Sequence, residues 1–379
     1  MNILLLEPYY TGSHAAWAAG YATHSRHRVT VLSMPGRFWK WRMHGGAVTL
    51  ARRFLAMETT PDLILATDML DLTTFLALTR YRTFRLPIAI YFHENQLSYP
   101  WSPTDRDVRQ RRNLHYGFVN YASALAADAV FFNSQYHRDS FLDELPRLLK
   151  HFPDHNELDT VEVLRTKSEV LPLGLDLRRF DAFRPDRKHP NLGSRPLVLW
   201  NHRWEYDKNP QEFFEALHAL VARELDFGLI ILGERFRKQP TEFSEARQQL
   251  GERVRHFGYV RDFADYARWL WQADVLPVAS HHDFFGASVV EAIYCGCFPL
   301  LPGRLSYPEL IPTEYHHLCF YQDFDDLVDR LESAIQNLDH VRQVGLQDAV
   351  ARFDWSVMAP AYDDRLERVA SREKRTALT

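Results

Sequence analysis

Short apolar runs with few polar breaks recur along this chain, and they recur in two separate series. Residues 3–6, 29–32, 63–66, 88–92 and 129–133 are dominated by Ile, Leu, Val, Phe and Ala. A strand that is apolar at nearly every position must be covered on both faces, as in a parallel sheet flanked by helices. Helical patterns fill the intervals at 15–23, 45–55, 72–78 and 113–127. Strand alternating with helix predicts a mainly parallel, doubly wound sheet. Around 183–196 the composition turns to Pro, Arg and Asn, as in a linker. The alternation then restarts with strands at 197–200, 227–232, 254–257, 275–278 and 298–301, and helices such as 210–223 and 266–271 between them. The expectation is an α/β chain of two Rossmann-like domains, 1–182 and 197–354, joined by the linker 183–196. A C-terminal helix in 355–379 is free to pack back on the first domain. Two such sheets in tandem would border a cleft at the carboxyl ends of their strands, where ligands collect.

Composition narrows the class of function. A length of 379 residues exceeds one simple core, and 46% hydrophobic with 25% charged residues is ordinary for a soluble globular protein. No apolar run approaches the roughly 20 residues that span a bilayer. The start, Met1-Asn2-Ile3-Leu4-Leu5-Leu6-Glu7, has no basic region and meets an acid early, so it reads as a buried strand and not a signal peptide. Three cysteines, two of them the close pair Cys295 and Cys297, make neither a disulfide framework nor a zinc set, and a reducing, cytoplasmic setting is expected. The net charge of −4 argues against a dedicated nucleic-acid binder, yet residues 1–150 carry 17 Lys and Arg against 12 Asp and Glu. A basic first half and an acidic second half fit domains with different partners.

Several segments have the residue types for chemistry. His281-His282-Asp283-Phe284-Phe285-Gly286-Ala287 follows the strand at 275–278, and a helix then carries Glu291. A strand that empties through a Gly turn into a helix presents free N–H groups and a helix dipole to a diphosphate. Glu291 lies about one turn into that helix, within reach of a ribose, and Asp283 within reach of a sugar beyond the diphosphate. Two solvated acids on an ordinary strand, turn and helix would look alike. Arg203 and Lys208 open the helix after the strand at 197–200, and can neutralise a leaving nucleoside diphosphate or simply be surface cations. His93, with Glu94 and Asn95, ends the strand at 88–92, where an imidazole can move a proton or bind a sugar hydroxyl, or serve packing alone. Gly12, Ser13 and His14 sit in the loop after the first strand. Arg37-Phe38-Trp39-Lys40-Trp41-Arg42, followed by Arg52-Arg53, interleaves cations with aromatics. That pattern suits RNA phosphates and unpaired bases, and equally a loop of snorkelling side chains. A second basic run lies at 106–112. Two Asp-x-Asp triplets, from Asp105 and from Asp323, read better as helix-start acids than as metal ligands, so no metal is expected.

Together these elements resemble the retaining glycosyltransferases of the GT-B fold. The residues that carry the likeness are Ala127-Asp128-Ala129-Val130-Phe131-Phe132-Asn133-Ser134, Val170-Leu171-Pro172-Leu173-Gly174-Leu175-Asp176, the Arg203…Lys208 pair, Gly258, and the Asp283…Glu291 element. The resemblance implies that Arg203 and Lys208 bind the diphosphate and Glu291 the ribose. It implies that Asp283 and the Phe285-Gly286-Ala287 backbone hold the donor sugar, with Gly258 and Tyr259 beside the donor and His93 at the reacting centre. It also implies transfer with retained configuration and without a required metal or other cofactor. Asp283 departs from the pattern, since Glu is commoner there. A narrower likeness, through Tyr9-Tyr10-Thr11-Gly12-Ser13-His14, Phe38-Trp39-Lys40-Trp41-Arg42, Tyr91-Phe92-His93-Glu94-Asn95-Gln96-Leu97-Ser98-Tyr99-Pro100 and Phe131-Phe132-Asn133-Ser134, is to the tRNA-queuosine α-mannosyltransferase family. It implies GDP-mannose as donor and queuosine in the anticodon loop of an aspartate tRNA as acceptor. Gly12, Ser13, His14, Arg37, Lys40, Arg42, Glu94 and Asn95 would then face the acceptor. No stable membrane association is expected. The competing expectations are a saccharide or lipid-linked acceptor on the same fold, and a non-catalytic binder of tRNA or nucleotide sugar.

Overall fold

The computed structural model describes residues 1–102, 105–109, 114–186, 195–234 and 240–376, with side chains up to 371. The chain folds as two compact units, one of Met1–Leu175 with the C-terminal helix Trp355–Thr376, the other of Asp176–Asp354. The break falls ahead of the linker expected at 183–196. Residues 187–194 of that stretch lie outside the described residues, as do Arg111 and Arg112 of the second basic run. Phe180, just before it, is buried in the second unit, where Trp271 Nε1 donates to its carbonyl at 2.9 Å.

The first unit has six parallel strands: β1 (Asn2–Tyr10), β2 (Arg28–Pro35), β3 (Leu63–Thr67), β4 (Ile88–Phe92), β5 (Ala129–Phe132) and β6 (Ser168–Val170). Their order is β2-β1-β3-β4-β5-β6. Direction across the sheet reverses between β1 and β3, so the switch point lies at their carboxyl ends. β3 and β4 are buried at every residue, which is why they are unbroken apolar runs in the sequence. The second unit repeats the plan with β7 (Leu197–Trp200), β8 (Gly228–Ile231), β9 (Val254–Phe257), β10 (Val275–Pro277), β11 (Phe298–Pro302) and β12 (Phe320–Tyr321). Here the order is β12-β11-β10-β7-β8-β9, with the reversal between β7 and β10.

Two segments expected as loops are structured. β1 runs through Tyr10 and a helix starts at Gly12, leaving Thr11 alone between them. Gly12 and Ser13 therefore open that helix, and Gly12 takes the left-handed φ of +50° that a turn this tight demands. The cation–aromatic stretch is likewise the first turn of the helix Trp39–Leu55, entered through Phe38 at φ +55°. β6 and β12, of three and two residues, are too short to leave a periodic signal.

The C-terminal helix completes the first unit. Trp355 fills the space left by Gly20 and Gly174, where an added Cβ would come within 2.1 and 2.3 Å of the indole. Further along, the buried Asp363 accepts from Tyr21 Oη at 2.8 Å, Ser25 Oγ at 2.6 Å and the Arg26 amide at 2.9 Å. Tyr362 Oη accepts from Trp17 Nε1 at 3.0 Å and donates to the Pro172 carbonyl at 2.9 Å.

Candidate functional site

In the second unit most of the sequence-predicted donor residues follow β7 and β10, at the switch point, while Gly258 and Tyr259 follow the edge strand β9. β7 delivers Asn201, His202, Arg203 and Lys208; the segment after β10 delivers Asp283 and the helix Ala287–Tyr294. Lys208 is buried, and its ammonium donates to the His282 carbonyl at 2.7 Å and lies 3.3 Å from Asp283 Oδ2 and 3.4 Å from Asp207 Oδ2. Burial opposes ionisation of Asp283, but Lys208, with His202 and His282, outweighs it and holds the carboxyl below the usual carboxylate range. Tyr307 Oη donates to the same Oδ2 at 3.2 Å. The shorter acid is thus clamped in place. Burial, then Lys208, lowers His202 and His282 to about 4, so both rings are neutral at pH 7. Arg203 lies at the surface, 3.1 Å from Glu205.

Gly286 caps the helix Ala287–Tyr294 at φ +89°, and a Cβ there would meet the Tyr307 ring at 3.3 Å. Phe285 turns its side chain into the core, against the Phe353 ring at 5.1 Å, leaving its backbone to serve a ligand. Glu291 Oε2 accepts from Tyr266 Oη at 2.6 Å, and Asn201 Nδ2 donates to Tyr266 Oη at 3.1 Å and to the Ser288 carbonyl at 3.1 Å. Burial pushes Glu291 up to about 7, against the pull of the Tyr266 hydrogen bond. Gly258 is buried at φ +127°, directly after β9, and Tyr259 beside it is exposed. Cationic donors, carboxyl acceptors and backbone N–H groups therefore gather beyond the carboxyl ends of these strands. That is what a nucleoside diphosphate sugar needs.

In the first unit, His93 leaves the end of β4 and packs on His14, ring centroids 4.2 Å apart, and edge-on to Trp17 at 4.6 Å. Two acids absent from the sequence-derived set join them. Glu7, wholly buried, accepts from the Tyr9 amide at 2.7 Å and lies 3.1 Å from His14 Nδ1. Asp68, wholly buried after β3, accepts the His93 amide on Oδ1 at 2.8 Å. Burial alone would lower His14, yet the charge and hydrogen bond of Glu7, with Asp68 and Glu94 behind it, raise it to about 9. His93 goes the other way, well below its usual value, through burial and the neighbouring His14. Among the described residues Glu7, His14 and His93 form one group whose donor atoms lie within 4.8 Å of one another, a spacing a metal ion could use. Asn95 is fully buried and spends its Oδ1 on the Leu97 and Ser98 amides at 3.0 and 2.9 Å.

Of the cation–aromatic segment, only part is available to a partner. The Lys40 ammonium is held by Asp105 at 2.7 Å and by Asp107, and Arg42 is buried with Nε donating to the Pro35 carbonyl at 3.0 Å. Arg37 is exposed, as are Phe38 at 77% and Trp41 at 62%. The first Asp-x-Asp triplet is thus the counter-charge of Lys40. The second begins a helix, Asp323 accepting from the Asp326 amide at 3.0 Å.

Sequence reasoning missed Glu7, Asp68, Asn201 and Tyr266. A signal existed for the first two, because each is an acid at the carboxyl end of an otherwise apolar strand. Tyr266 carried none: it comes from a helix 25 residues from Glu291.

Two doubly wound units of parallel strands, the second matching the glycosyl transferases group 1 family, make the chain a glycosyltransferase of the GT-B fold. The structure of Anabaena HepE in complex with UDP aligns with a TM-score of 0.68, covering 97% of this chain and 100% of that one at 18% identity. Residues 2–175 match the family described as tRNA-queuosine alpha-mannosyltransferase N-terminal, and 183–346 match glycosyl transferases group 1. A tRNA-queuosine alpha-mannosyltransferase of Drosophila melanogaster is 34% identical over 83% of this chain and 82% of its own length. A GDP-mannose-dependent alpha-(1-6)-phosphatidylinositol dimannoside mannosyltransferase of Mycobacterium tuberculosis is 26% identical over 39% of each chain. The chain belongs to the tRNA-queuosine α-mannosyltransferase family. Among the described residues no helix is long and apolar enough to cross a membrane.

Proposed function

We propose that the protein transfers mannose from GDP-mannose to a hydroxyl of queuosine in the anticodon loop of tRNA(Asp), in the cytoplasm, with retention at the anomeric carbon. The observation that carries this reading is the similarity to the Drosophila queuosine enzyme along most of both chains. GDP-mannose as donor draws further support from the name of the mycobacterial relative. Arg203 and Lys208 would neutralise the diphosphate as the bond to the sugar breaks, the role a divalent ion has in other enzymes, and no metal requirement is proposed. The helix start at Gly286 would add backbone N–H donors, and Glu291 would accept from the ribose hydroxyls. Asp283, fixed by Lys208 and Tyr307, would hold mannose hydroxyls. The acceptor oxygen bonds to the anomeric carbon on the face that GDP leaves, and its proton passes to the departing β-phosphate. Gly258 and Tyr259 border the donor; Gly12, Ser13, His14, His93 and Glu94 border the acceptor; Arg37, with Trp41, touches the loop. Labelled GDP-mannose is supplied with tRNA from cells that make queuosine and from cells that do not. Label should enter only the first; equal transfer to both refutes the acceptor, and undiminished transfer in EDTA is expected.

A further inference from the structure

The switch point of the first unit holds more acid than its own bases can neutralise. Glu7 from β1, Asp68 after β3 and Glu94 after β4 converge on His14: the charges that most strongly raise its proton affinity are those three. Burial, with Glu94 and Glu7 adding to it, holds Asp68 well above the usual carboxylate range against the pull of the His14 cation. His93 stays uncharged beside them, so one imidazolium faces three carboxyl groups. Two atoms of this cluster are buried without a hydrogen-bond partner, Asp68 Oδ2 in a residue of 0% exposure and His93 Nε2 in one of 8%. A buried carboxyl oxygen left unmatched is costly, and a cationic ligand beside it would favour its ionised form and supply the N–H donor it lacks. A metal ion fits less well, because His14 Nδ1 already shares its proton with Glu7 at 3.1 Å.

We infer that Glu7 and Asp68, with Glu94 at the rim, form a pocket for the protonated secondary amine of the acceptor nucleoside. The inference rests on queuosine being the acceptor. That nucleoside carries an alkylamine between its 7-deazaguanine and its cyclopentenediol, cationic at neutral pH and bearing two N–H donors. Guanosine has neither the charge nor the donors at that position. The pocket therefore reads the modification itself, since a neutral base leaves the acids unmatched. Its neighbour His93 keeps its Nε2 for a hydroxyl next to the amine.

The test uses the full-length protein and tRNA carrying either 7-aminomethyl-7-deazaguanine, a cationic amine, or 7-cyano-7-deazaguanine, a neutral nitrile, in place of queuosine. Wild type should bind the aminomethyl tRNA more tightly by about tenfold to a hundredfold, the range for a hydrogen bond to a charged group. Equal binding overturns the pocket whatever the variants do. In Asp68→Asn and Glu7→Gln the preference should fall to about threefold or less, with GDP binding and cooperative unfolding preserved and Glu7→Gln melting lower at pH 6 through loss of its pairing with His14; a preference retained in both overturns the assignment to these residues. Wild type that mannosylates queuosine tRNA yet shows no amine preference loses the pocket and keeps the acceptor. Wild type with the preference and no transfer to queuosine loses the acceptor and keeps the pocket.

Discussion

Replacing Glu291 with Gln should stabilise the second unit at pH 8 and leave it nearly unchanged at pH 5. Burial raises the carboxyl from its ordinary 4.5 to about 7. Between those values the folded state holds a proton that the unfolded chain has released, so stability falls as pH rises through the interval and levels off above 7. A full shift of this size would cost about 3 kcal/mol at pH 8. Glu291 keeps some solvent access, which lowers the figure to about 2 kcal/mol. At pH 5 little of it has accrued, under about 1 kcal/mol. Gln has the same shape and still accepts from Tyr266, so the charging cost is what the substitution removes. For a unit of this size the gain at pH 8 corresponds to a rise of about 4–8 °C in melting temperature. Calorimetry of wild type and Glu291→Gln at both pH values reads the difference directly. The same variant should lose about tenfold or more in GDP-mannose affinity, since a ribose donates more strongly to a carboxylate than to an amide. Equal melting shifts at pH 5 and pH 8, or a variant destabilised at pH 8, would refute the account.

Three further outcomes follow from the same geometry. Lys208→Ala strips the cation from Asp283 and Asp207, and should cost about 3–5 kcal/mol in urea unfolding together with two to three orders of magnitude in transfer rate, about the loss of one charge-stabilising donor. His14, raised to about 9 by Glu7, contributes stability that is complete below pH 6.5 and disappears as pH rises through 9. Wild type should therefore melt above His14→Gln at pH 6, and the gap should close by pH 10. Arg37→Ala combined with Trp41→Ala should weaken tRNA binding and reduce its salt slope by about 1, with GDP affinity intact; an unchanged slope makes the segment structural.

Much of the architecture is legible in the sequence because a buried parallel strand has no polar positions. β4 and β7 are contiguous apolar runs, and their bounds follow from that. That Arg203, Lys208 and Asp283 come together follows from a related reason, since each lies in the segment after such a strand and a switch point gathers strand ends; Glu291 joins them from the helix after β10. Lys40 and Arg42 show the limit. Their spacing suits an RNA contact and a loop of snorkelling side chains equally, and a helix starting at Trp39 turns one toward Asp105 and Asp107 and the other toward a backbone carbonyl. Glu7 was read as the acid that interrupts an apolar start, and only the pairing of β1 with β3 brings it near Asp68. Partners distant in sequence, such as Tyr266 and Glu291, have no local pattern to reveal them.

The helix that closes the first unit has a consequence for birth on the ribosome. Strands β1 to β6 emerge first, yet Trp17, Tyr21 and Ser25 bond to Tyr362 and Asp363. At about 5–20 residues per second, synthesis of the intervening unit takes on the order of ten seconds or more. For that interval the nascent sheet waits with its aromatic flank uncovered. The last helix to be translated is the one that ends the wait.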